Sequence, residues 1–315
     1  MHKGGIDMSG LAICVPTYNR ADIVEEVLLY SAEYLQSHDV DIYYYDSSEN
    51  ANVREIVNRH KAAGHNNVYY IFVPSDFLYG DKIDLIFSGE GLEKDYDYIW
   101  PIKERSIPNV EMLELVLDRC DGKSDLVISL VLGDIFIGDR FDFYSPVDLY
   151  RYFAKQITSL GTVVYNTKTM LGNYTFGGSR DCSKAKNDFW HYWFAFDRLA
   201  QIENPTIAIV SKNGAVNMNS SIPFTNNWRK RIFEIWIEEF IAINYELPNI
   251  YSQYKTQVIK DTVSIEELLG DKQTFAELHE EGILTEKEFE KYKEFWPFVT
   301  NVPVDDIKSI AYSKK

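Results

Sequence analysis

The chain has 315 residues, with 48 acidic against 32 basic side chains and a formal net charge of −16. That surplus argues against nucleic acid or an anionic membrane surface as the main partner, and no apolar run reaches the roughly 18 residues of a membrane span. The hydrophobic (45%) and charged (25%) fractions are those of a globular protein with one large core or two smaller ones, and three scattered cysteines, Cys14, Cys120 and Cys182, suit neither a disulfide framework nor a zinc site but fit a reducing, cytoplasmic setting.

Residues 1–10, MHKGGIDMSG, lack a secretory apolar core and read as a flexible leader, with Met8 a possible native start. Leu11 to Val15 reads as a buried strand that stops at Pro16, and a helix opens near Ala21. Thr17, Tyr18 and Asn19 then lie at the carboxyl end of a strand, where open α/β sheets bind ligands. Ile23, Val27, Tyr30 and Tyr34 recur at helical spacing. Val40 to Tyr45 is the next strand, ending in the polar turn Asp46-Ser47-Ser48-Glu49-Asn50. Val53, Ile56 and Val57 mark a second helix, and Val68 to Val73 a third strand. This β-α-β-α-β order implies a parallel sheet.

Pro74 to Asp84 reads as a loop leading into a helix, with Gly80, Asp81 and Lys82 near the loop's end. Tyr96 to Ile102 is a fourth strand running into Lys103-Glu104-Arg105-Ser106. Pro108 and Asn109 open another helix, and Leu126 to Leu132 is a further buried strand.

The opening strand with Pro16-Thr17-Tyr18-Asn19-Arg20, the Asp46 that ends the second strand in YYYDSSEN, and the helix start at Asn52 to Val57 carry a resemblance. Residues 11–135 look like a bacterial family-2 glycosyltransferase of the GT-A type. The resemblance implies a Rossmann-like mixed sheet flanked by helices. It also implies that Pro16, Thr17, Tyr18, Arg20 and Asp46 bind a nucleotide-sugar donor, most simply a UDP-sugar, with Thr17, Tyr18 and Asp46 on its uridine. The carboxylate of Asp46, an acceptor only, suits the uracil imide N–H. Ser47 and Ser48 stand where the family has a second Asp and a Gly. Lys82 lies where the family places a basic residue against the donor diphosphate.

At Lys103-Glu104-Arg105 the sequence departs from the family, which has Asp-Asp or Asp-x-Asp there to hold a divalent cation. One glutamate between two cations is a poor Mg²⁺ or Mn²⁺ site. Alternation along a strand turns Lys103 and Arg105 toward the cleft together and Glu104 away, unless the backbone turns. The two cations would then stabilise the leaving diphosphate in place of a metal, with Mn²⁺ or Mg²⁺ use as the alternative.

Beyond residue 135 the likeness loosens. Val147 to Leu160 reads as a helix and Thr162 to Tyr165 as a strand; Leu171 to Asp188 is a long loop before the aromatic helix Phe189 to Ala200. In the family an acidic residue here is the catalytic base. Asp188 is the first candidate and Asp181 the second, although Asp188 also sits where a helix cap belongs. His191 and Trp190 are possible acceptor contacts, with core packing as the plainer role.

Thr206 to Ser211 is a short strand, and Asn219 to Asn227 a loop. Trp228, Ile232, Trp236 and Phe240 then form a helical stripe beside the basic cluster Arg229-Lys230-Arg231, a solvated helix start or an anion contact. Helices are expected at Ile265 to Leu269, Phe275 to Leu278 and Glu286 to Trp296.

The domain reading is a transferase domain over residues 11–215, with a nucleotide half (11–135) and an acceptor half (136–215). A helical subdomain over 216–315 follows and is a possible homo-oligomer contact. The resemblance implies an inverting transfer to a hydroxyl of a glycan, glycoprotein or lipid-linked acceptor. The alternative is an inactive GT-A subunit that binds or chaperones a partner enzyme. A nucleotidyltransferase ranks last, because PTYNRAD lacks the glycines of its phosphate loop.

Overall fold

The computed structural model describes residues 10–130, 140–143, 145–172, 174, 188–211, 217–222, 228–265 and 268–313. These form two compact units, one of residues 1–146 and 156–223, the other of 147–155 and 224–315.

The first unit is built on strands β1 (Leu11–Thr17), β2 (Val40–Asp46), β3 (Val68–Phe72), β4 (Tyr98–Pro101), β5 (Ser106–Pro108), β6 (Leu126–Ser129), β7 (Arg140–Phe143), β8 (Val163–Asn166), β9 (Ile207–Val210) and β10 (Asn217–Asn219). Eight make one sheet in the order β3-β2-β1-β4-β8-β6-β9-β7, while β5 and β10 pair separately. The β3-β2-β1-β4 half is parallel, as the alternating order requires; β8 and β7 run antiparallel to their neighbours, so the sheet is mixed. Helices α1 (Ala21–Ser37), α2 (Asn52–Ala62), α3 (Tyr79–Phe87) and α4 (Val110–Leu117) connect the strands of the first half. β1 and β2 are buried at every position, because helices cover both faces of a parallel sheet.

Two local departures from the sequence reading position the candidate site. β1 does not stop at Pro16 but runs on to Thr17, with Pro16 opposite Tyr45 and Thr17 opposite Asp46. The carbonyl of Cys14 accepts from Ile102 of the β4 side, so Pro16, two residues on, turns its missing N–H toward that same side. β4 has ended at Pro101 by then, and the proline costs no ladder bond. Gly80, Asp81 and Lys82 lie not in a loop but in the first turn of α3, where the Asp81 carboxylate accepts from the Leu78 amide at 3.0 Å.

Helix α5 (Pro146–Ile157) lies in the second unit along residues 147–155, and α6 (Trp190–Leu199) lies in the first. The second unit is helical, with α7 (Phe240–Glu246), α8 (Lys255–Val263), α9 (Lys272–Glu280), α10 (Glu286–Lys291), α11 (Trp296–Val299) and α12 (Val304–Ala311). Its aromatic centre is Trp296, ringed by Phe233, Phe275, Phe289 and Tyr292 at centroid distances of 5.5 to 6.4 Å. The Tyr150 hydroxyl donates to Asn244 Oδ1 at 2.7 Å, fastening α5 to α7. Among the described residues no helix is long and apolar enough to cross a membrane.

Candidate functional site

The carboxyl ends of β1 and β2 are tied together by a relay of short polar bonds. Ser47 N–H donates to Thr17 O at 3.3 Å. Ser48 Oγ accepts from Asn19 N–H at 2.7 Å and donates to Asp46 Oδ1 at 2.5 Å. The Ser48 amide also donates to Asp46 Oδ1 at 3.0 Å. Asn19 sits in the left-handed region at φ 53°, which asparagine tolerates, and the chain there turns sharply into α1. Asp46 therefore does turn work, but with only one of its oxygens.

Asp46 Oδ2 is buried without a hydrogen-bond partner, and so is Thr17 Oγ1 on the register-paired residue of β1. Both residues are almost wholly buried. An orphaned carboxylate oxygen in such a place costs free energy that a ligand donor would recover. Tyr70 approaches the same carboxylate: burial first, the Asp46 charge second and a side-chain hydrogen bond to Asp46 push its phenol pKa up, with the Arg54 charge opposing. Two exposed aromatics flank the pair: Tyr18 beside Thr17, and Phe72, which is opposite Asp46 in the β2–β3 ladder.

Lys82 is 7% exposed, and its ammonium donates to Thr17 O at 2.9 Å. It stands 5.6 Å from the centroid of the Tyr18 ring. Burial lowers its pKa, opposed by the charges of Asp46 and Glu104.

After β4 the backbone turns. Ser106 N–H donates to Lys103 O at 3.0 Å, closing a four-residue turn, so strand alternation does not apply to Lys103, Glu104 and Arg105. The expectation that Glu104 faces away from the two cations is corrected here, while the Arg105 charge still reaches Lys103. Glu104 Oε1 lies 3.9 Å from Arg20 Nε, and its charge reaches Lys82 and Lys103. Arg105 instead donates to the carbonyls of Ser220 and Ile222 at 3.1 and 3.4 Å, and its own carbonyl accepts from Ser220 N–H at 2.8 Å. Lys103 reaches Ser159 Oγ at 3.0 Å. It is solvent-accessible, yet lost hydration lowers its pKa.

Tyr79, at the start of α3, completes the constellation and was not legible in the sequence. Its hydroxyl pairs with His191 Nδ1 at 3.2 Å. Burial, then the charge of Asp188, and more weakly that of Glu104, push its pKa well up. The charges of Asp188 and Glu104 thus both reach Tyr79. The residue that caps α6 is Phe189, with no side-chain cap bond. Asp181, the second base candidate, lies outside the described residues.

His191 and Trp190 are corrected to core residues. His191 is buried, with Nε2 at 3.1 Å from Thr158 O and Nδ1 on Tyr79. Trp190 is fully buried and stacks on Trp193 at 4.9 Å, leaving no open ring face for a sugar. The two arginines of the basic cluster are paired locally: Arg229 with Glu277 and Glu281, and Arg231 with Glu234 and Glu239.

The fold family implies a divalent cation near the end of β4. The donor set there does not fit one. Among the described residues no group of three His, Cys, Asp or Glu side chains converges as a metal would need, and Glu104 pairs with Arg20 while its charge reaches Lys82 and Lys103.

No protein-family model and no curated protein sequence matches this chain. Solved structures do. Residues 1–349 of S. aureus TarS, in complex with UDP-GlcNAc, superpose with a TM-score of 0.56 at 12% identity, over 96% of this chain and 90% of that one. The fold is GT-A. Against a longer S. aureus TarS structure, the TM-score is 0.53 and 55% of that chain is covered. The mannosyltransferase PcManGT from Pyrobaculum calidifontis, in complex with GDP-Man and Mn²⁺, gives 0.51 at 12% identity, over 96% of this chain and 86% of that one.

Proposed function

We propose that the chain is a nucleotide-sugar glycosyltransferase that uses a uridine diphosphate donor. The observation that carries the reading is the pair of buried, unpartnered atoms Asp46 Oδ2 and Thr17 Oγ1 at the carboxyl ends of adjacent parallel strands. Beside them stand an exposed aromatic face, Tyr18, and the cations Lys82, Arg20 and Lys103. An imide N–H satisfies the carboxylate oxygen, a uracil carbonyl or ribose hydroxyl pairs with Thr17, and the ring lies against Tyr18. The UDP-GlcNAc of the TarS complex supports this donor class by analogy of fold.

In the proposed reaction an acceptor hydroxyl attacks the anomeric carbon in line and with inversion, as UDP departs. Asp188 takes the hydroxyl proton as general base. Lys82, Lys103 and Arg20 stabilise the negative charge that grows on the diphosphate. Arg105 is withdrawn from that role because its guanidinium is committed to the 220–222 carbonyls. The acceptor is a hydroxyl of a glycan, free or carried on protein or lipid.

The same Lys-Glu-Arg turn favours a second reading, an inactive GT-A subunit that serves a partner enzyme. A thermal-shift panel of UDP, GDP, CDP and UDP-sugars, with and without Mn²⁺, followed by an assay for UDP release, decides between them. Stabilisation by UDP species with UDP release supports the enzyme. Stabilisation with no release under any acceptor supports the subunit, and no response to any uridine nucleotide defeats the donor assignment.

A further inference from the structure

One carboxylate at the end of β4, Glu104, lies 3.9 Å from Arg20, and its charge reaches Lys82 and Lys103, so cations from three segments share it. Arg20 comes from the β1–α1 turn, Lys82 from α3 and Lys103 from the turn that also carries Glu104. We propose that Glu104 is the internal counter-anion of this cradle, and that its carboxylate competes with a bound diphosphate for the same cations. This rests on reading the cradle as a diphosphate site.

The geometry argues for a displaceable partner rather than a fixed one. Arg20 Nε and Glu104 Oε1 are 3.9 Å apart, at the outer edge of an ion pair and beyond hydrogen-bond distance. Both side chains are about a quarter exposed, 29% and 24%, so water screens the attraction and the pair holds weakly. Glu104 sits on a turn rather than in a strand or helix, and its side chain is not part of the core. A diphosphate brings more charge and more acceptor oxygens than one carboxylate, and outcompetes it.

Displacement has a consequence for affinity. While the diphosphate is bound, the Glu104 charge remains on the same short turn as Lys103, and like charges at that range repel. The residue thereby weakens donor binding, and it favours UDP release after transfer. A metal ligand or a catalytic base at this position predicts the opposite sign, because removing its charge would weaken binding or abolish turnover.

The test is titration calorimetry with inorganic pyrophosphate and, separately, with UDP, in EDTA and in a parallel series with Mn²⁺ in place of EDTA, on the wild type, Glu104→Gln and Glu104→Asp. Glu104→Gln is expected to bind both ligands about three- to tenfold more tightly, the scale of a partly screened charge. Glu104→Asp is expected to bind like the wild type, and added salt to narrow the gap. Unchanged or weaker binding by Glu104→Gln, with its melting temperature preserved, overturns the proposal. So does a Mn²⁺-dependent gain in affinity present in the wild type and lost in Glu104→Gln. If neither protein binds pyrophosphate, the cradle does not exist and the proposal falls. If pyrophosphate follows the expected pattern and UDP fails to bind, the counter-anion stands and the uridine reading falls.

Discussion

The hydroxyl of Tyr79 donates to Nδ1 of His191 across 3.2 Å, joining the first turn of α3 to the first turn of α6. The direction of that bond follows from the other ring nitrogen. His191 Nε2 faces the Thr158 carbonyl at 3.1 Å and must carry the hydrogen, which leaves Nδ1 as the acceptor. The neutral tautomer is thereby fixed, and burial lowers the ring's pKa to about 4.

That depression sets a pH dependence. In the unfolded chain His191 titrates near the ordinary value of about 6.5, so the unfolded state binds the extra proton first. Its contribution to stability is full above that pH and is lost as the pH falls toward 4. Urea denaturation at pH 7.5 and pH 5 is expected to differ by up to about 2 kcal/mol from this residue. In His191→Asn the difference shrinks by that amount, although the variant is less stable at both pH values. A wild-type protein and variant with parallel pH profiles would remove His191 as the cause.

Asp46→Asn separates binding from stability. Asn keeps an oxygen to accept from the Ser48 amide and hydroxyl, so the turn survives. It replaces an unpartnered, buried carboxylate oxygen by a neutral amide. The variant is expected to melt within about 1 kcal/mol of the wild type, and to bind UDP at least about tenfold more weakly, since the amide presents a donor to the imide N–H. Equal UDP affinity in the two proteins would refute the nucleobase role of Asp46.

The strands and their ends were legible because each rests on local signals: an apolar run, a proline, a polar cluster. β1, β2 and β3 follow from such runs, and Asp46 from the abrupt change after YYY. The turn at Lys103 to Ser106 was not legible, because β4 ends where β5 pairs with β10, whose partner lies more than a hundred residues away. The Lys103–Arg105 parity failed for that reason. Tyr79 was invisible for a similar one: its partner His191 is 112 residues distant, and a tyrosine at a helix start carries no motif. The aromatic run of α6 could equally supply core or sugar contacts, and only burial assigns Trp190 to the core.

Arg105 and Glu26 clamp the same segment from two sides. Arg105 holds the carbonyls of Ser220 and Ile222, while Glu26 of α1 accepts from the hydroxyls of Ser220 and Ser221 and from the Ser221 amide. Arg105→Ala is expected to accelerate hydrogen exchange and limited proteolysis around residues 217–222, and to leave UDP affinity within about twofold. Glu26→Gln is expected to loosen the same segment more mildly. A large loss of UDP binding in Arg105→Ala without faster exchange would return the arginine to the diphosphate.

Lys82 and Lys103 are both cationic, but their surroundings predict different losses. Lys82 is buried and is the closer of two donors to Thr17 O, so Lys82→Met leaves that carbonyl with only the longer bond from the Ser47 amide. The expected cost is about 1 to 3 kcal/mol of stability, the range for a buried hydrogen bond from a charged donor, together with at least about tenfold weaker UDP binding. Lys103 is accessible and rests on the Ser159 hydroxyl, so Lys103→Ala is expected to change stability by less than about 0.5 kcal/mol. Its effect on UDP is expected at low ionic strength and to fade as salt shortens the reach of an exposed charge. Paired melts and UDP titrations at low and high salt on the two variants check both halves. Identical salt dependence for Lys82→Met and Lys103→Ala would mean that burial does not distinguish the two cations, and that Lys82 acts only through long-range charge.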